Sequence, residues 1–202
     1  MKYADFDIED IDVNIKSKND LISSEFFKTF PENAKDDIIK NISDDSKFLG
    51  EDDIEFMHRG IDQKGNIVDV PFKLSEESDG TRKYFGILGP FLDVLKNGYT
   101  MVINELDMKL HTLLVIQLVK LFLDPSINKN NAQLIFTTHD TNLLDVDILR
   151  RDQIWFTEKK EDKSTDLYSL YDFGKVRKND KIEKRYLQGK YGAIPFLRGD
   201  LR

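Results

Sequence analysis

Two short apolar runs break off abruptly into polar and acidic residues, and this pattern limits the fold more than any other in the chain. Tyr99-Thr100-Met101-Val102-Ile103 runs straight into Asn104-Glu105-Leu106-Asp107. Ala132-Gln133-Leu134-Ile135-Phe136-Thr137-Thr138 runs into His139-Asp140. Between them, residues 108–123 are apolar enough for a buried helix, closed by Asp124-Pro125. Strand, helix and strand in that order, with strands apolar on both faces, predict an α/β layer with a largely parallel sheet. Ligand sites in such layers lie beyond the carboxyl ends of the strands, where these polar residues fall.

The flanking segments read less sharply. Residues 1–17 alternate apolar and polar (Phe6, Ile8, Ile11, Val13, Ile15), as a strand with one wet face does. Residues 18–48 place Leu21, Ile22, Phe26, Phe27, Phe30, Ile38, Ile39 and Ile42 at helical spacings. Two short amphipathic helices broken near Pro31, or a loosely ordered excursion, fit that stretch. Residues 52–59 and 66–74 are strand-like runs joined by Asp62-Gln63-Lys64-Gly65-Asn66, a hairpin turn. Gly80 to Lys96 reads as a helix buried on a broad face, with Gly98 at its C-terminal end. Beyond His139, residues 141–150 read as a short helix, Gln153–Thr157 as a third buried strand and Leu167–Leu170 as an edge strand. The expected division is 1–50 as an N-terminal strand and helical excursion, 51–173 as the main subdomain and 174–202 as a basic tail.

Composition narrows the classes. With 40% hydrophobic and 33% charged residues, the chain is globular rather than disordered. Without cysteine it has no disulfide or thiolate metal site, which fits a reducing cytoplasm. No apolar run approaches the ~20 residues that span a bilayer, so no membrane partner is expected. The opening Met1-Lys2-Tyr3-Ala4-Asp5-Phe6-Asp7 has no apolar h-region, so no signal peptide is expected either. A net charge of −7 argues against a surface coated with nucleic acid. From Gly174 to Arg202, however, nine Lys/Arg face three Asp/Glu. That tail is either simply solvated or a contact for a polyanion or an acidic partner.

Three features carry candidate chemistry. Acids following Val102-Ile103 suit a Mg²⁺ and water site beside phosphates. With the two strands adjacent, Glu105 and His139 share a rim, where Glu105 could polarise a water and His139 could contact a terminal phosphate. Third, Ser75-Glu76-Glu77-Ser78-Asp79-Gly80-Thr81-Arg82 precedes a long helix, with Ser78 as N-cap and Gly80 allowing close approach of an anion. Singly, each has a plainer account: a strand leaving a core, a structural histidine, an acidic cap.

In this order and spacing the features resemble the ABC class of ATPases, which includes SMC, RecF and OLD-type proteins. Ser78-Asp79-Gly80 is similar to the signature motif, Val102 to Glu105 to the Walker B motif, Leu106-Asp107 to the D-loop, and Thr138-His139-Asp140 to the switch histidine. Within that class the chain is most similar to bacterial AAA-family ATPases of the abortive-infection and restriction-associated type. Leu110-His111 after the Walker B stretch and the run from Lys184 to Pro195 add to that likeness, which covers roughly residues 66–197. The fold it implies is the C-terminal part of a P-loop NTPase, an ABC-ATPase head.

What the resemblance implies is a pair of heads that sandwich ATP and couple its binding and hydrolysis to an effector, a nuclease or toxin in phage defence. Glu105 would be the general base, Asn104 would stand in the Mg²⁺ position, and Asp107 would communicate across the dimer. Ser78 and Gly80 would grip the partner's γ-phosphate, and His139 would sense the same group. The pattern is departed from twice. No G-x-x-x-x-G-K-[ST] occurs in the chain, so the Walker A phosphate cradle is missing and a fragment or a split-gene polypeptide is expected. Asn104 replaces the usual Asp, which puts metal affinity in doubt. Two alternatives stand beside this reading: a regulatory ATP-binding or interaction module disabled by Asn104, and a metal-dependent nuclease built from Glu105, Asp107, His111, His139 and Asp140.

Overall fold

The computed structural model describes residues 8–50, 53–174 and 181–195. Phe6 of the expected first strand and residues 175–180 and 196–202 of the basic tail lie outside them. The chain divides into two compact units, residues 1–86 and 87–202.

The first unit is built on an antiparallel sheet of β1 (Ile8–Val13), β4 (Ile54–Ile61) and β5 (Ile67–Lys73), in the order β1-β4-β5. The hairpin β4–β5 turns where expected, because Asp62 accepts from the amides of Lys64 and Asn66, each at 2.8 Å, and Gly65 supplies φ 83°. Ile8, Ile54 and Phe56 form its core, with Phe85 set edge-on to Phe56 at 5.2 Å. Between β1 and β4 come a two-residue ladder of β2 (Lys16–Ser17) with β3 (Lys47–Phe48) and three helices rather than two. These are α1 (Lys18–Ser23), α2 (Glu25–Lys28) and α3 (Glu32–Asn41), the last beginning after Pro31. The extra break follows from Ser24, whose side chain caps Phe27 and restarts the helix. Asp53 is buried, and the Lys16 ammonium at 2.5 Å with the Gly50 amide holds its carboxyl below the usual carboxylate range.

In the second unit, β6 (Thr100–Ile103) and β7 (Gln133–Phe136) pair in parallel, with α5 (Thr112–Leu123) between them in sequence. Helix α4 (Asp79–Asn97) precedes β6, and its later part supplies Phe91 and Leu95 to a core shared with Val115, Leu118 and Val119 of α5. Phe91 meets Phe122 edge-on at 5.2 Å. Strands β8 (Trp155–Lys159) and β9 (Thr165–Ser169) then form an antiparallel hairpin, followed by α6 (Ile182–Leu187).

Three expectations are corrected here. Among the described residues the parallel sheet is confined to β6–β7, because β8 turns back through Asp162-Lys163 and bonds to β9. A tight turn permits only antiparallel pairing. Nor are β6 and β7 buried on both faces. Met101, Ile103, Leu134 and Phe136 point inward, while the paired Val102 and Ile135 are 74% and 56% exposed. Residues 141–150 make one 3₁₀ turn and no α-helix. Asp140 and Asp145 each accept from the amide two residues on, at 3.0 and 2.8 Å, and these local bonds displace the helical ones.

Gly98 and Gly65 both have positive φ, but only Gly98 is crowded, since an added Cβ would lie 2.4 Å from the Asn130 carbonyl oxygen. Gly98→Ala should therefore destabilise the protein by more than Gly65→Ala, whose cost is the backbone strain alone, about 1 kcal/mol. Urea denaturation of the two variants checks the order.

Candidate functional site

The parallel register sets Ile103 beside Phe136, so the residues that follow both strands emerge on one rim. Thr137 ties them. Its hydroxyl donates to Asn104 Oδ1 at 2.7 Å and accepts from the Glu105 amide at 2.8 Å. Its backbone bonds to Ile103 and Leu106, each at 3.0 Å, and extend the ladder past the last strand residues. Leu106 is fully buried and anchors the turn. Between this anchor and the Thr137 bond, Glu105 is held at φ 53°, a left-handed conformation uncommon for a residue with a side chain.

Glu105 Oε1 lies 3.9 Å from His139 Nε2, and the two side chains are 42% and 85% exposed. That spacing is too long for a direct hydrogen bond and leaves both groups open to a ligand or a water. The Asp107 carboxylate accepts from the His139 amide at 3.3 and 3.4 Å, so it positions the histidine's backbone. Asn104, Glu105, Asp107 and His139 are thus gathered as the sequence suggested.

The neighbouring residues are structural partners of this rim. Helix α5 starts at Thr112, not 108, because Lys109 adopts φ 65° and His111 caps the helix, its Nδ1 accepting from the Leu113 amide at 3.2 Å. Burial raises the Asp140 carboxyl, but hydrogen bonds from Thr112 and Asn142 and the nearby His111 outweigh it and leave it below the usual range. Among the described residues no three His, Asp or Glu side chains gather as metal ligands.

Ser78 and Gly80 belong to the first unit. The Ser78 side chain caps α4, accepting from the Thr81 amide at 3.1 Å, and its carbonyl accepts from the Arg82 amide at 2.9 Å. Ser78 itself is exposed, while Thr81 is buried. The preceding Glu77 is paired with His58 of β4 at 2.5 Å.

Sequence reasoning missed Thr137, which reads simply as the end of a β-run. A Thr directly after a strand, opposite an Asn or Asp, was the only available signal.

A parallel β-α-β unit that presents an amide, two acids and a histidine beyond its strand ends defines a class: an α/β module with a P-loop NTPase-like fold. A family model described as "AAA domain, putative AbiEii toxin, Type IV TA system" matches residues 4–145, and the chain belongs to that family. The match takes in residues 4–65, outside the stretch on which the motifs were recognised. No curated protein matches the chain. Among the described residues no helix is long and apolar enough to cross a membrane.

Leu106→Ala should cost about 2–5 kcal/mol through the cavity it leaves. Glu105→Gly should leave stability unchanged or slightly raised, since glycine adopts the left-handed turn freely. Thermal unfolding of the two variants separates anchor from strained site.

Proposed function

We propose that the chain is the signature- and Walker B-bearing part of an ABC-type ATPase head that pairs with a second head around ATP and drives an effector. The observation that carries this reading is the shared rim, with the Glu105 carboxylate 3.9 Å from His139 Nε2 at the carboxyl ends of parallel strands. In this role Glu105 accepts a proton from the attacking water, and His139 donates to the terminal phosphate oxygens. Asp107 holds the histidine through its backbone amide and faces the partner head. Ser78 and Gly80 serve the partner's nucleotide, which suits a segment ending in an exposed helix cap.

ATP requires Mg²⁺, and the residues present fit the ion in a limited way. Asn104 is neutral, and one lone pair of its Oδ1 is already taken by Thr137. It suits a bond to a metal-bound water better than direct ligation, with ATP phosphates supplying the remaining oxygens. The ion would neutralise charge between the terminal phosphates. The chain has no G-x-x-x-x-G-K-[ST] run to cradle those phosphates, so the completed site would draw it from a Walker A polypeptide, and the bare Val102–Ile135 face supports a further layer over the sheet. The family's description supports a toxin–antitoxin setting, and within it the effector is a nuclease or toxin acting in phage defence. The basic tail offers a contact for nucleic acid.

The Asn104–Thr137 bond also favours a second reading, a regulatory module that binds ATP without turning it over. Turnover decides between them. This chain alone should bind ATP weakly and hydrolyse none, as calorimetry and phosphate release would show. Completed with a Walker A polypeptide, it should hydrolyse ATP. Asn104→Asp should then raise the rate at limiting Mg²⁺, and Glu105→Gln should abolish it. An unchanged rate and Mg²⁺ dependence in Asn104→Asp would remove Asn104 from the metal position.

The signature assignment has its own test. Ser78→Arg should leave the fold intact and abolish ATP-dependent dimerisation of the completed head by light scattering.

A further inference from the structure

The turn that follows His139 is held from the far end of the chain. Thr141, the first residue of the 3₁₀ turn Thr141–Leu143, donates its hydroxyl to Glu183 Oε1 at 2.7 Å, across 42 residues. The bond is partly buried and its acceptor is a carboxylate, so it is stronger than a neutral pair.

Glu183 is fixed by its own surroundings. It sits in the first turn of α6, next to the buried Ile182. Tyr186 and Tyr191 both stack on Phe156 of β8, with ring centroids 5.5 and 5.9 Å away. Phe173 packs edge-on against Tyr191 at 5.2 Å. The Tyr168 hydroxyl of β9 donates to the Tyr191 carbonyl and the Tyr186 hydroxyl to that of Ala193, each at 2.8 Å. Gly192 lets the chain pass this close, since a Cβ there would lie 2.6 Å from the Tyr168 oxygen. Residues 181–195 are therefore a cap clamped onto the β8–β9 hairpin, and Glu183, the single acid among them, reaches the switch turn.

We propose that Glu183 is a positioning residue for His139, holding the switch turn through Thr141 and carrying displacements of that turn into the C-terminal cap. The role given to His139 rests on the ATPase reading above. Asp107 holds the histidine's amide from one side, and Glu183 holds the turn two residues beyond it from the other. The imidazole, 85% exposed, is thus carried by a turn with two fixed supports. A pull on His139 by a terminal phosphate passes along Thr141 and Glu183 to the cap.

Hydrogen exchange on the full chain tests this. The amides of Asn142, Leu143 and Leu144 hydrogen-bond within the turn and report on it. Glu183→Ala and Thr141→Val should each raise their exchange about tenfold, the loss of one hydrogen bond to a charged group. Glu183→Gln keeps an acceptor at the same place and should stay within about threefold of the parent. The amides of β8 should not change. The proposal fails if the turn amides are unaffected, or if β8 exchanges faster to the same extent in both variants, which would mark general loosening. In a head completed with a Walker A polypeptide, Glu183→Ala should lower kcat about tenfold at unchanged KM for ATP. Faster exchange with unchanged kcat also overturns it. A completed head that binds no ATP and shows no turnover sinks the ATPase reading instead, and the exchange result then stands by itself on the clasp.

Discussion

The Thr137 hydroxyl is the joint on which the candidate site turns. It donates to the side chain of one residue and accepts from the backbone of the next, so it holds Asn104 and Glu105 together in one geometry. The backbone bonds of Thr137 to Ile103 and Leu106 carry the ladder past Ile103 and Phe136, but they do not reach the Asn104 side chain or the Glu105 amide. With Thr137 in place and Leu106 buried behind, the Glu105 backbone is forced left-handed and its side chain is carried to the rim that His139 occupies. The energy stored in that turn is small, about 1–3 kcal/mol, and is offset by the burial of Leu106.

Around this joint the polar residues divide their labour according to what they are bonded to. Asp107 is engaged with the His139 amide, Asp140 with Thr112 and Asn142, and His111 with the start of α5. Glu105 and the His139 imidazole, by contrast, face outward. Residues already bonded to the fold shape a site, and those held in place but open are the ones a ligand meets. This is the physical basis for proposing chemical roles for Glu105 and His139 and supporting ones for the others.

The family match and the open sheet face bear on each other. Parallel strands read as continuous apolar runs because both their faces are ordinarily covered. Here Val102 and Ile135 lie side by side in register with water on their side, while the opposite face packs inward. Their sequence is that of a central strand pair, and an additional layer would complete the burial that it encodes. The antiparallel hairpin β8–β9 does not do so, since Val102 and Ile135 remain exposed.

Local signals were legible in the amino-acid sequence by itself. The apolar runs of β6 and β7, the Asp62–Gly65 turn, the Ser78 cap and the glycine after α4 each rest on contacts within a few residues, and each came out where expected. The acids and the histidine at the strand ends were legible too, because a change from apolar to polar marks a strand leaving the core. Tertiary structure alone decided that β1 would pair with β4, that β8 would leave the parallel layer and bond to β9, that Thr137 would bridge Asn104 and Glu105, and that α6 would reach back to Thr141. It also drew Tyr186 and Tyr191 out of a segment that reads as a basic tail and stacked them on Phe156. Such contacts join residues 30 or more apart, as with Asn104 and Thr137 or Thr141 and Glu183. The sequence near either partner carries no trace of the other, because what brings them together is the packing of the whole core and not the preference of any one segment.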